Sequence, residues 1–219
     1  MNLRSRVDSV RARKRAHWRL QRMHAFLERI RPAPGATVLD MGGTPELWAL
    51  LDHRLDVTLL NTDEERSWGC RPPLPARFQV VVGDACELGR FADGSFDVVF
   101  SNSVIEHLGS DERVTRFARE VRRVGRSYWV QTPSWLFPIE AHTGLPLYWH
   151  YPRPVRGAIS RLLDRRHADH PWYCAMADTR CFRLAELRRL FPDASLFTER
   201  VGGFTKSWSL YRAPGSSCT

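Results

Sequence analysis

Apolar residues recur at Ala16, Leu20, Met23, Leu27 and Ile30, in steps of four, three, four and three, and this stripe predicts one amphipathic helix across residues 1–31. Pro32, Pro34 and Gly35 stop it. The period then changes. Thr37 to Asp40 is a short apolar run ending in an acid, Pro45 to His53 has helical spacing, and Val57 to Asn61 is a second extended run. A third strand is expected over Phe78–Asp84 after a proline-rich loop, and a fourth over Phe96–Ser101 behind the turn formed by Ala92, Asp93, Gly94 and Ser95. Ser110 is placed to cap a helix with Asp111 and Glu112 in its first turn, Val114, Phe117, Val121 and Val124 on its buried face, and Gly125 at its end. A fifth strand follows over Ser127–Thr132.

From residue 133 to about 176 this order breaks into a stretch rich in Pro, His and aromatics, among them Trp135, Phe137, Tyr148, Trp149, Tyr151 and Trp172. It is too long and too apolar for a plain connector and is expected to form a lid over the acceptor, spanning 134–176. Regularity returns with Leu184, Leu187 and Leu190 on a helix, then two strands, Ala194–Arg200 and Lys206–Arg212, joined through Gly202 and Gly203 as an antiparallel edge. Strands alternating with helices predict an α/β fold: a doubly wound, mostly parallel seven-stranded sheet within a single domain over 1–219. Ligands of such sheets bind at the carboxyl ends of the strands.

Composition narrows the setting. No window approaches the roughly 18 apolar residues of a membrane span, and nothing at the N-terminus resembles a leader, so neither secretion nor membrane insertion is expected. Five scattered cysteines without a C-x-x-C pair fit a reducing cytoplasm. The net charge is +9, but residues 1–31 carry ten basic side chains against Asp8 and Glu28, which is +8 and leaves +1 for the remainder. The body is nearly neutral, so the high isoelectric point is no nucleic-acid signature by itself.

Chemistry is concentrated where strands end. After Asp40 come Gly42 and Gly43, a turn that lets backbone approach a ligand, with a carboxylate able to accept from a cationic amine. In chain order there follow a polar strand end at Asn61, the run Gly83-Asp84-Ala85, and Phe96 to Leu108 with Asn102, Ser103, Glu106 and His107. Together these resemble the class I S-adenosylmethionine-dependent methyltransferases over residues 36–133 and again over 182–212, in the manner of bacterial enzymes acting on small molecules or saccharides. The resemblance implies a Rossmann-like fold, S-adenosylmethionine as cofactor, and methyl transfer to an acceptor oxygen or nitrogen. It places Asp40, Gly42 and Gly43 at the methionine part of the cofactor, Asp84 and Ala85 at the adenine, and Asn102 and Ser103 near the methionine moiety. Two positions depart from the family pattern. Thr44 and Glu46 stand where glycines are usual, and Asn61 replaces the acid that holds the ribose, with Asp63 in reserve.

A dehydrogenase would need a G-x-G-x-x-G turn, which is absent. Methyl transfer from a sulfonium depends chiefly on orientation, and a base is required only for a weak nucleophile. The stretch Pro138 to His142 resembles an acceptor-side segment of some bacterial methyltransferases and offers His142 as base with Glu140 beside it; His107 at the site mouth is a further candidate. His167, His170, Cys174 and Cys181 match no zinc spacing, so no metal is expected. Three functions stay open: an enzyme acting on a small molecule or saccharide; an RNA methyltransferase guided by the basic N-terminal helix, whose salt-dependent binding would vanish on deletion of 1–31; and a non-catalytic relic of the fold. The arginine-rich helix also suits an anionic membrane surface.

Overall fold

The structure, a computed structural model, describes residues 3–62, 76–140, 144–167 and 179–215, with side chains described except at 3–15 and 164–167. Strands β1 (Thr37–Met41), β2 (Asp56–Asn61), β3 (Phe78–Val82), β4 (Phe96–Asn102), β5 (Gly125–Pro133), β6 (Ser195–Val201) and β7 (Phe204–Arg212) form one sheet in the order β3-β2-β1-β4-β5-β7-β6. Strands β1 to β5 run parallel, β7 is antiparallel to β5, and β6 is antiparallel to β7. Gly202 and Gly203, at φ of 58° and 83°, make the reversal between the last two strands. The expected α/β class, parallel body and antiparallel edge are all present.

Helices α1 (Leu3–Ile30), α2 (Pro45–Trp48), α3 (Asp111–Val124), α4 (Arg153–His167) and α5 (Leu184–Leu190) accompany the strands, with 3-10 turns at Ile105–His107 and Tyr148–His150. Side chains alternate along a strand, so each strand feeds two cores. Val38, Val57, Leu59, Val98, Phe100 and Trp129 face Met23, Phe26 and Ile30 of α1 and Trp48 of α2. Leu39, Met41, Leu60, Val99, Tyr128 and Val130 face Val114, Phe117 and Val121 of α3 and Leu187 of α5. This parity places Asp40, Asn61, Asn102 and Gln131 on the α1 face at the strands' carboxyl ends. It decides which helix each can meet.

Several boundaries differ from the sequence expectations. Helix α2 has one turn instead of reaching His53. Strand β3 stops at Val82, short of Asp84, with Gly83 making the last bond to β2 by donating its N–H to the Asn61 carbonyl at 2.9 Å. Gly125 is extended, at φ −97°, and opens β5 while its N–H closes α3 on Val121. On α1 the inward face centres on Met23 and Phe26, while Ala16 is exposed. Helix α4 went unforeseen: Val155 and Leu162 are exposed and arginines interrupt the helix, so no apolar stripe marks it. Among the described residues no helix is long and apolar enough to cross a membrane.

Candidate functional site

The sheet order reverses direction at β1, with β2 and β3 on one side and β4 and β5 on the other. A crevice at the carboxyl ends of β1 and β4 follows from that reversal. Along this edge the loops lie side by side: Gly83 bonds Asn61, Gly42 donates to Leu60 O at 2.7 Å, Met41 pairs with Ser101, and Asn102 pairs with Gln131. The topology therefore brings the post-strand segments carrying Asp40, Asn61, Asp84 and Asn102 to one edge.

Asp40 lies beneath the glycine turn and is fully buried. Its Oδ2 accepts from Trp48 Nε1 at 2.7 Å, while Oδ1 is buried with no hydrogen-bond partner. Burial pushes its pKa up to about 7, opposed only in part by the indole bond. The turn fits closely around it. A Cβ on Gly43 would lie 1.7 Å from Asp40 Oδ2, and one on Gly42, at φ 76°, would lie 2.5 Å from a Val104 methyl. Asn61 secures the turn from the neighbouring strand by donating Nδ2 to Gly43 O at 3.0 Å.

Asp84 follows β3. Its Oδ1 accepts from the Cys86 N–H at 2.9 Å and from Arg113 at 3.1 Å, and Oδ2 lies 2.9 Å from the other guanidinium nitrogen. Burial acts to raise its pKa, but the Cys86 N–H and Arg113 outweigh it and hold the carboxyl below its ordinary value. Asp84 is thus an ionised acceptor on the rim, with Ala85 half-buried beside it.

Beyond β4, Asn102 and Ser103 join a polar cluster that sequence reasoning missed. Arg22 of α1 donates to Asn102 Oδ1 at 2.6 Å, Gln131 Oε1 at 3.3 Å, and Glu199 Oε2 through two nitrogens at 3.1 and 2.8 Å. Glu199 also receives Lys206 at 2.8 Å and Ser207 at 2.7 Å. Burial would raise the Glu199 pKa, but Arg22 and Lys206 hold it low. Ser103, in the left-handed region at φ 60°, donates Oγ to Gln131 Oε1 and its N–H to Gln131 O. Strand alternation could have found this cluster, since Gln131 and Glu199 sit at inward positions where apolar residues belong. Arg22→Met should lower stability by about 2 kcal/mol in urea denaturation, less than the 3–5 kcal/mol for removing a sole buried partner, because Lys206 and Ser207 still hold Glu199. An unchanged midpoint would contradict it.

His107 stands on the 3-10 turn after β4, its Nδ1 3.0 Å from Thr179 Oγ1. The adjacent Glu106 is buried and accepts from Thr132 Oγ1 at 3.0 Å. Glu140 is buried in a turn whose backbone bonds run between it, Gly144 and Leu145. Asp63 and His142 lie outside the described residues, as do His170 and Cys174 of the dismissed metal set and Trp172 of the aromatic stretch.

A family model described as a methyltransferase domain matches residues 39–127. A methyltransferase of Mycobacterium sp. (strain KMS), itself uncharacterized, is 31% identical over 139 residues, covering 63% of this chain and 53% of its own. The chain thus spans about half the length of the curated relatives it matches first. Among solved structures, YcgJ of Bacillus subtilis superposes with a TM-score of 0.54 at 18% identity, covering 84% of this chain and 71% of its own. A chain from the complex of the Haloferax volcanii Trm112 methyltransferase activator with a methyltransferase gives 0.56 at 16%, covering 93% and 92%. At these identities the structures attest the fold.

Proposed function

We propose that this chain, whose residues 39–127 match a methyltransferase-domain family model, is a class I methyltransferase that transfers a methyl group from S-adenosylmethionine to a small-molecule or saccharide acceptor, on oxygen or nitrogen. The observation that carries the reading is the Asp40 Oδ1 atom, a buried acceptor without a partner under a turn whose shape admits only glycine at position 43. An ammonium group is the donor such an oxygen lacks, directly or through a water. The donor set fits the rest of the cofactor too. Asp84, ionised on the rim with Ala85 beside it, would accept from the adenine amine; Asn61, or Asp63 two residues on, would meet the ribose hydroxyls; Asn102 and Ser103 would flank the methionine portion.

When bound, the cofactor supplies an electrophilic methyl group on sulfur. The chain's own part is positioning: two glycines that admit close approach, and a β4 loop fixed by Arg22 and Gln131. For a hydroxyl acceptor, His142, Glu140 and His107 are the proton acceptors within the acceptor-side segments, and Thr179 orients the His107 ring. The RNA reading loses support at the N-terminal helix. Arg22 is turned into the protein, and the Arg29 guanidinium stacks 4.9 Å from the Phe197 ring centroid, so two of its cations serve packing.

Calorimetric titration with S-adenosylhomocysteine tests the proposal. One-site binding is expected, and Asp84→Ala should weaken it about tenfold or more, the loss of one hydrogen bond to a charged acceptor. No binding by the unaltered chain at millimolar ligand would refute the cofactor assignment and leave the relic reading.

A further inference from the structure

A cleft of about 570 Å³ opens between the 3-10 turn Tyr148–His150 and helix α4, and its lining includes Tyr148, Trp149, Arg153, Arg156, Arg161 and Thr179. Its volume suits a small molecule. Among the described residues, three arginines line it and no carboxylate does. The wall is held in place: Tyr148 Oη and Ser160 Oγ share a 2.9 Å hydrogen bond between turn and helix, and Arg161 Nε donates to Gly157 O at 3.1 Å.

Arg156 is the focal group. Its guanidinium lies 5.6 Å from the Trp149 ring centroid, and its Nε is buried with no hydrogen-bond partner. The residue is half-buried, but an N–H withdrawn from water without an acceptor is costly, and an oxyanion in the cleft removes that cost while the fork geometry receives two of its oxygens. Among the described residues, two acids near this region are themselves engaged: Glu106 accepts from Thr132, and Glu140 is buried in its own turn. Together with Arg156 they act on the Cys181 thiol, whose pKa burial, above all, raises. Thr179 connects the cleft to the carboxyl edge of the sheet, since it lines the cleft while its hydroxyl meets His107 at the end of the β4 loop.

We propose that this cleft is the acceptor subsite and that the acceptor is a small molecule bearing a carboxylate or phosphate, its oxyanion held on Arg156 with Arg153 and Arg161 and its apolar part against Tyr148 and Trp149. The word acceptor rests on the methyl-transfer reading; the anion site does not.

The test uses the full chain with benzoate and phenyl phosphate as probes and benzyl alcohol as the neutral control, followed by saturation-transfer NMR and titration. At least one oxyanion should bind tenfold or more tighter than benzyl alcohol, and the stronger of the two identifies the anion. Arg156→Gln should weaken that probe tenfold or more, Arg156→Lys should recover part of the loss, and S-adenosylhomocysteine affinity should change less than twofold in both. Equal binding of benzyl alcohol, absence of binding by both oxyanions, or an unaffected Arg156→Gln protein overturns the proposal. If Arg156→Gln fails to fold, Arg153→Gln at an exposed position serves instead: a threefold or greater loss supports the site, and no loss overturns it. Displacement of the probe by a short poly(U) strand at lower concentration overturns the small-molecule assignment. Probe binding without S-adenosylhomocysteine binding would sink the methyl-transfer reading and leave the anion site standing; the converse would sink the anion site alone.

Discussion

Alanine at position 43 is expected to abolish S-adenosylhomocysteine binding and to lower the unfolding free energy by about 4 kcal/mol. The added Cβ would stand 1.7 Å from Asp40 Oδ2, far inside contact distance. Asp40 has nowhere inexpensive to go, because it is fully buried and that same oxygen holds the Trp48 indole at 2.7 Å. Moving it adds an overpacking cost of about 1–3 kcal/mol to an unpaired buried N–H worth about 1–3 kcal/mol. A double-mutant cycle isolates the cause. In an Asp40→Ala background the Gly43→Ala penalty should fall below about 1 kcal/mol, since the colliding carboxylate is gone. The same penalty in both backgrounds would show that the contact is not responsible.

The second large effect is a stability difference between the unaltered chain and Asp40→Asn that grows with pH. Asp40 is pushed up to about 7 from the 3.8 of an exposed aspartate, so the folded protein holds this proton more tightly than the unfolded chain does. Between these values the unfolded chain has released the proton and the folded protein has not, and stability falls as pH rises. The group's stabilising contribution is therefore complete below about pH 4 and gone above about pH 7, a change of up to about 4 kcal/mol at 1.36 kcal/mol per pH unit. Asparagine keeps an acceptor for Trp48 and has no proton to lose. Urea denaturation at pH 5, 6, 7 and 8 should show the variant gaining on the unaltered chain from pH 5 to 7 and levelling off by pH 8, whereas parallel profiles throughout would place the Asp40 pKa near its ordinary value. An ammonium ligand placed at Oδ1 would pull the pKa down, so S-adenosylhomocysteine binding near pH 6.5 should release a proton, seen as a buffer-dependent heat.

Much of this architecture is written in local patterns. The apolar runs of β1, β2 and β4, the capped helix begun by Ser110, and the glycine hairpin at the end each follow from neighbours in sequence, and each forms close to where those neighbours put it. The glycine turn and the polar strand ends were legible for the same reason. What sequence reading missed depends on distant partners. Trp48 reads as an ordinary apolar helix residue, and only the fold shows its indole over Asp40. Arg22 belongs to a run of arginines that looks like a solvated face, yet its partner Glu199 is 177 positions away. Helix α4 carries too little apolar surface to announce itself.

The inward turn of Arg22 has a practical consequence for anyone probing the basic segment. Cutting away residues 1–31 strips the sheet of Met23, Phe26 and Ile30 and strands Glu199 against Lys206 and Ser207. Such a truncate would lose any ligand simply by failing to assemble, nucleic acid included, and its silence would be uninformative. A charge-neutralising substitution at the exposed Arg31, which bonds the Glu28 carbonyl of α1, leaves those packing residues in place and asks the electrostatic question instead.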